Sequence, residues 1–181
     1  MIYKFAFGVT IAFLLGNVTP DLPASALHLL KSFYLAFPSG LAGWTLLLLR
    51  VGVGGLFLMH GYPKITHLQQ WSAAVKMPIA LCFLSALSML LGGLGLIVGL
   101  LTPLASLAIL ASMVFAIFLE ISGGTSFMAP DPYLIPPDQY QGPKGKGEPP
   151  SWEKAFMYCL LLIAIAVLGP GAFSVDALLF G

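Results

Sequence analysis

Residues 77–119 read MPIALCFLSALSMLLGGLGLIVGLLTPLASLAILASMVFAIFL, 43 consecutive positions without Asp, Glu, Lys or Arg. A helix rises 1.5 Å per residue, so a hydrocarbon core about 30 Å thick takes about 20 apolar residues to cross. The stretch therefore holds two spans and a turn. The turn is predicted at Thr102-Pro103, because proline opens a helix more readily than it sits inside one. Residues 77–100 and 103–122 then form a membrane hairpin.

Working outward, residues 155–175 are also free of charge and meet the breaker Gly169-Pro170-Gly171, which places a further span at 153–169. On the other side, residues 41–62 form the first full span and carry Arg50 inside it. Composition agrees: 59% of the 181 residues are hydrophobic and 8% are charged, against about 45–50% and about 25% in soluble domains. So few charges cannot cover a soluble particle. Trp44, Trp71 and Trp152 fall at or just outside the span ends, where an indole ring is half buried and its N–H stays wet. The fold class is an all-α integral membrane protein, a four-helix transmembrane bundle with an additional N-terminal hydrophobic helix.

That extra helix is expected over residues 2–17. Lys4, the apolar run Phe5–Leu15 and Ala24-Ser25-Ala26 have the shape of a secretory signal. We read the segment as uncleaved, either crossing the membrane or lying along it. Pro20, Pro23 and Pro38 interrupt the residues after it, leaving a short amphipathic piece around Ala26–Phe37. Residues 1–40 are thus an N-terminal extension to a membrane domain at 41–181. Within that domain, 123–150 holds seven prolines among 28 residues and should have little regular structure. Lys64, Lys76, Lys144, Lys146 and Lys154 lie on one side of the spans, Lys31 and Lys4 on the other. By the positive-inside rule the 63–76 and 123–152 loops are cytoplasmic, in a bacterial inner membrane.

A formal net charge of +1 removes the electrostatic footprint of a nucleic-acid binder. Cys82 and Cys159 are single cysteines in apolar stretches, with no CxxC and no disulfide framework. His60 and His67 are seven residues apart and His28 is expected across the membrane, so no metal site is expected. Three constellations remain. Small residues at Ser88, Gly92, Gly95 and Gly99, with Ser85 before them, form a helix-packing stripe that Ala105, Ala108, Ser112 and Ala116 answer. Arg50 is costly in lipid unless it faces the bundle. Asp176 is its expected partner, in the first turn of a short helix 175–180 that Ser174 would cap. At the other end His60, Lys64, Glu120 and Glu153 sit near span ends on one surface. They are either a proton or quinone cluster or an ordinary neutralised one.

The segment Arg50–Lys64, RVGVGGLFLMHGYPK, resembles the first span of the DoxX family: an arginine, a glycine-rich stretch, then His-Gly with a nearby lysine. Leu90–Thr102, LLGGLGLIVGLLT, is similar to its second span and turn, and Gly169–Asp176, GPGAFSVD, to its closing signature. The resemblance covers roughly residues 41–181. It implies a four-helix membrane bundle associated with membrane redox systems, including a quinone-linked thiosulfate oxidoreductase. The chain departs from the pattern where Met89 stands near a glutamate that many members carry. The first 40 residues and the 123–150 segment look like enlargements on the family core.

Two functions are expected on these grounds. One is a non-catalytic accessory subunit of a larger electron-transfer complex, respiratory or photosynthetic, docked to other membrane subunits through residues 1–40 and 123–150. The other is a quinone-linked oxidoreductase subunit with its site near His60 and Glu120. The sequence holds no haem-ligand pair, iron–sulfur cysteine set or nucleotide fingerprint. The chain alone is therefore expected to bind no cofactor, with quinone, lipids or pigments held at interfaces with partners.

Overall fold

The computed structural model describes residues 37–130 and 150–181, and all regular structure among them is helical. The elements are α1 (Gly40–Thr66), α2 (Leu68–Val75), α3 (Ile79–Val98), α4 (Thr102–Ser122), α5 (Glu153–Leu168) and α6 (Val175–Phe180). Three of them, α1, α3 and α4, are long and apolar enough to cross a membrane. The protein is an integral membrane protein. The helix expected over residues 2–17 and most of the proline-rich segment, 131–149, lie outside the described residues.

Chain neighbours are spatial neighbours: α1 packs along α3, α3 along α4 and α4 along α5, while α1 meets α5 over a shorter seam. Val53, Phe57, Met89, Leu96, Ile109, Leu162 and Ile165 form the core between them. Outside it the surface is apolar too. Only 33%, 33% and 28% of the most apolar stretches of α1, α3 and α4 are buried, so most of each faces outward.

The predicted boundaries shift in two places. The first span was expected to end at Tyr62, but α1 continues through Pro63 to Thr66. The 63–76 connection was expected as a loop, but most of it is the helix α2, which buries none of its residues. Ser72 and Lys76 close that helix: Met77 N–H donates to the Ser72 carbonyl, the Ser72 hydroxyl donates to the Met77 carbonyl at 2.8 Å, and Lys76 turns the chain with φ 54°.

The α3–α4 hairpin forms where the charge-free stretch places it. Gly99, at φ 72°, ends α3 by donating to the Gly95 carbonyl at 2.8 Å, and Thr102-Pro103 opens α4. Its helices approach closely. A Cβ on Gly92 would lie 2.6 Å from Ile109 Cγ1, and one on Gly95 would lie 3.1 Å from Ala105 Cβ. The Ser88 and Ser112 hydroxyls are 2.7 Å apart, and Ser112 also bonds Ser85 Oγ at 3.0 Å. Gly99 does not join this face, because it lies past the end of α3 as its cap. The closest backbone approach is elsewhere, between α1 and α3: a Cβ on Gly54 would lie 2.6 Å from the Gly93 carbonyl oxygen.

Candidate functional site

At the hairpin-turn end, Arg50 is fully buried, and so is Asp176. The two were expected to neutralise each other directly. They share no hydrogen bond, although the Asp176 charge acts on Arg50, and each also serves a helix end. Arg50 Nη1 donates to the Leu96 carbonyl at 3.1 Å and Nη2 to the Phe173 carbonyl at 2.6 Å. Leu96 lies in the last turn of α3, where unpaired carbonyls give the helix its negative pole. Asp176 accepts from Leu101 N–H at 2.7 Å and Thr102 N–H at 2.8 Å, the free amides at the positive pole of α4. One turn thus presents two opposite partial charges, and each draws a full charge of the other sign.

Local structure places both groups. Arg50 comes from the middle of α1, and Gly99 makes room for it, since a Cβ there would collide with the guanidinium. Gly169-Pro170-Gly171 ends α5 and turns the chain back, with Gly171 at φ 75°. Ala172 N–H then donates to the Pro38 carbonyl at 2.8 Å, and the Phe173 ring rests 4.5 Å from that of Trp44. Ser174 caps α6 by accepting from Ala177 N–H at 3.0 Å, and Asp176 N–H is anchored on the Gly99 carbonyl at 2.8 Å. Three buried side-chain atoms among the described residues have no hydrogen-bond partner: Arg50 Nε, Thr102 Oγ1 and Ser106 Oγ. This end is a lock, with no acid or base exposed among the described residues.

The other end holds His60, Lys64, Glu120 and Glu153, but not as one cluster. No hydrogen bond or ion pair joins either glutamate to His60 or Lys64 among the described residues. The charged neighbours of His60 are Lys64, one turn along α1, and Lys154 on α5. Lys154 and Tyr158 stand four residues apart on one face of α5, and the Tyr158 ring lies 6.4 Å from His60 and 5.0 Å from Phe57. That face meets α1. Glu153 donates its N–H to the Phe127 carbonyl at 3.0 Å, and the Phe127 ring lies 4.3 Å from that of Trp152. Among the described residues, the charges that act on His60 are those of the two lysines.

Lys64 itself is half-buried. Its Nζ sits 3.6 Å from Met89 Sδ and 4.8 Å from the centre of the Trp71 ring. Neither Trp71, Met89 nor Lys154 was singled out for this end from the sequence. The i, i+4 spacing of Lys154 and Tyr158 was the available signal. Among the described residues no three His, Cys, Asp or Glu side chains converge as a metal site would need, and Cys82 and Cys159 are both buried and unpaired.

Between the two ends, the outer flank of α3 and α4 carries an open groove of about 570 Å³. Leu84, Leu91, Val98 and Leu104 line it together with Gly92 and Gly95. A second hollow of about 330 Å³ continues it past Ser85, Ser88 and Ser112. The helix-packing residues therefore also shape an outward-facing concavity.

No curated protein and no solved structure matches the chain. The DoxX family model matches over residues 45–120, from the first turns of α1 to the last turn of α4.

Proposed function

We propose that this chain is a non-catalytic accessory subunit of a larger membrane electron-transfer assembly, respiratory or photosynthetic, in a bacterial inner membrane. In this reading α5 is a fourth span. It buries Cys159, Leu162 and Ile165 against the bundle while Leu160, Ile163 and Val167 face outward. Its 16 residues reach about 24 Å, and the chain through Gly169–Phe173 covers the remaining depth.

One observation carries the proposal: the large groove lies on the outer flank of α3 and α4 and is lined by aliphatic side chains. Such a surface suits an apolar neighbour better than a polar reactant. Other membrane subunits would also dock through residues 1–40 and 123–150, with quinone, lipid or pigment held at the interfaces. Purification in mild detergent, followed by mass measurement and a visible absorption spectrum, tests this. Co-migration with haem- or pigment-bearing subunits, with no prosthetic group on the isolated chain, is expected.

The competing reading is a quinone-linked oxidoreductase subunit, with a quinone or proton site near His60 and Glu120. The aromatic seam at Phe57, His60 and Tyr158 favours it, since a ring headgroup would stack there. A chain that purified alone and reduced a quinone analogue would replace the subunit reading with this one.

A further inference from the structure

The outward face of α1 carries a seam of its own. Leu48, Gly52, Gly55, Met59 and Tyr62 follow one another at steps of four, three, four and three residues, and Leu41 lies seven before Leu48. That spacing lines up on the side of a helix that packs along another. The bundle does not use it. The four most exposed large apolar side chains among the described residues are Leu41 at 85%, Leu48 at 75%, Met59 at 73% and Tyr62 at 67%. Between them, a Cβ on Gly52 or Gly55 would meet nothing within 4 Å. Small residues at mid-depth, flanked by large ones, are what a close helix crossing in lipid needs.

The chain enters α1 beside this seam, at the hairpin-turn end, where the Pro38 carbonyl accepts from Ala172 N–H at 2.8 Å. Upstream, the apolar segment 2–17 holds Phe5, Gly8, Ala12 and Leu15 at steps of three, four and three residues. Run antiparallel to α1, the series sets Leu15 against Leu48, Ala12 against Gly52, Gly8 against Gly55 and Phe5 against Met59. Large meets large at both ends, and small meets small twice between. Measured from Trp44 on α1 and from Asn17 on the segment, the members of each pair lie within about 5 Å in depth. The residues from 18 to 36 reach up to about 60 Å when extended, and packed helix axes are only about 8–10 Å apart. The same direction carries Lys4 to the lysine-rich side, as the positive-inside rule asks.

We propose that the segment 2–17 crosses the membrane antiparallel to α1 and docks on this seam. Tethering gives it an effective concentration that a second copy of the chain lacks. The α3–α4 groove stays open to other subunits, and the docking is independent of which assembly the chain joins.

Disulfide trapping of the full chain in membranes tests the contact, since native Cys82 and Cys159 are buried. Leu48 and Met59 are exposed, so replacing them leaves the bundle intact. Leu15→Cys with Leu48→Cys, and Phe5→Cys with Met59→Cys, should each close an intramolecular disulfide under mild oxidation, read as a species of monomer mass that no longer takes maleimide. Leu14→Cys with Leu48→Cys turns the first thiol off the seam and should trap about tenfold less. Gly52→Leu, whose side chain meets nothing in the bundle, should lower trapping of either seam pair to that level, whereas Gly52→Ala keeps the face small and should preserve it. Disulfide-linked dimers in place of monomers would give the seam to a second copy and overturn the proposal. So would seam pairs that trap no better than the Leu14 control, or trapping that Gly52→Leu leaves undiminished.

Discussion

Asp176 and Arg50 are fully buried, and their surroundings decide the effect of each substitution. Asp176→Asn keeps one acceptor oxygen but loses the charge facing the positive pole of α4, and it turns an amide NH₂ toward backbone N–H donors. A loss of about 2–3 kcal/mol is expected, read as a lowered Tm in detergent; an unchanged Tm would mean the carboxylate is idle. Arg50→Leu leaves the Leu96 and Phe173 carbonyls unpaired and should cost at least as much, about 3 kcal/mol. Ser106→Ala should go the other way. Its hydroxyl is buried without a partner, so removing it is neutral or stabilising by about 1 kcal/mol; a clear drop in Tm would reveal a role for that oxygen. Both charges were legible as exceptions in apolar sequence, and so was their shared end of the bundle. Their backbone partners were not, because backbone groups at a helix end leave no side-chain signature.

Among the elements, the hairpin and its turn could be read from charge-free length and from Thr102-Pro103. The short α2 could not. Its eight residues are too few to register as a span, although Leu68 and Trp71 at i, i+3 already hinted at a helix lying flat. The glycines divide in the same way. Spacing put Gly99 on the packing stripe of α3, but spacing cannot say where a helix stops. Nor did it pair Gly54, which spacing puts on one stripe of α1 with Arg50, Phe57 and Gly61, with Gly93, since their close approach depends on which face of α1 turns toward α3. A matched pair of variants measures this. Gly54→Ala drives a methyl into the Gly93 carbonyl and should cost about 1–3 kcal/mol. Gly52→Ala meets nothing within 4 Å and should be neutral or stabilising by up to about 1 kcal/mol. Equal effects on Tm would mean that α1 and α3 do not meet at Gly54.

At the scale of the whole molecule, the two ends of the bundle differ in kind. One is sealed by backbone partners; at the other, His60 and Lys64 of α1 meet Tyr158 of α5 and Met89 of α3. Orientation is testable with single cysteines, since native Cys82 and Cys159 are buried. With an impermeant maleimide on intact cells, Ser39→Cys should label and Gln70→Cys should label only after permeabilisation; the reverse pattern would invert the topology. Membrane class and helix order were legible because lipid demands long apolar runs, whereas the Tyr158 and Met89 contacts of the His60 end were not, since they depend on which helices face α1. The lock at the turn also orders events in time. A ribosome finishes α1, α3 and α4 well before it reaches Phe173 and Asp176, and in that interval the amides of Leu101 and Thr102 and half of the Arg50 guanidinium have no partner. Translation of residues 173–176 supplies those partners, so the turn end of the bundle is the last part to close.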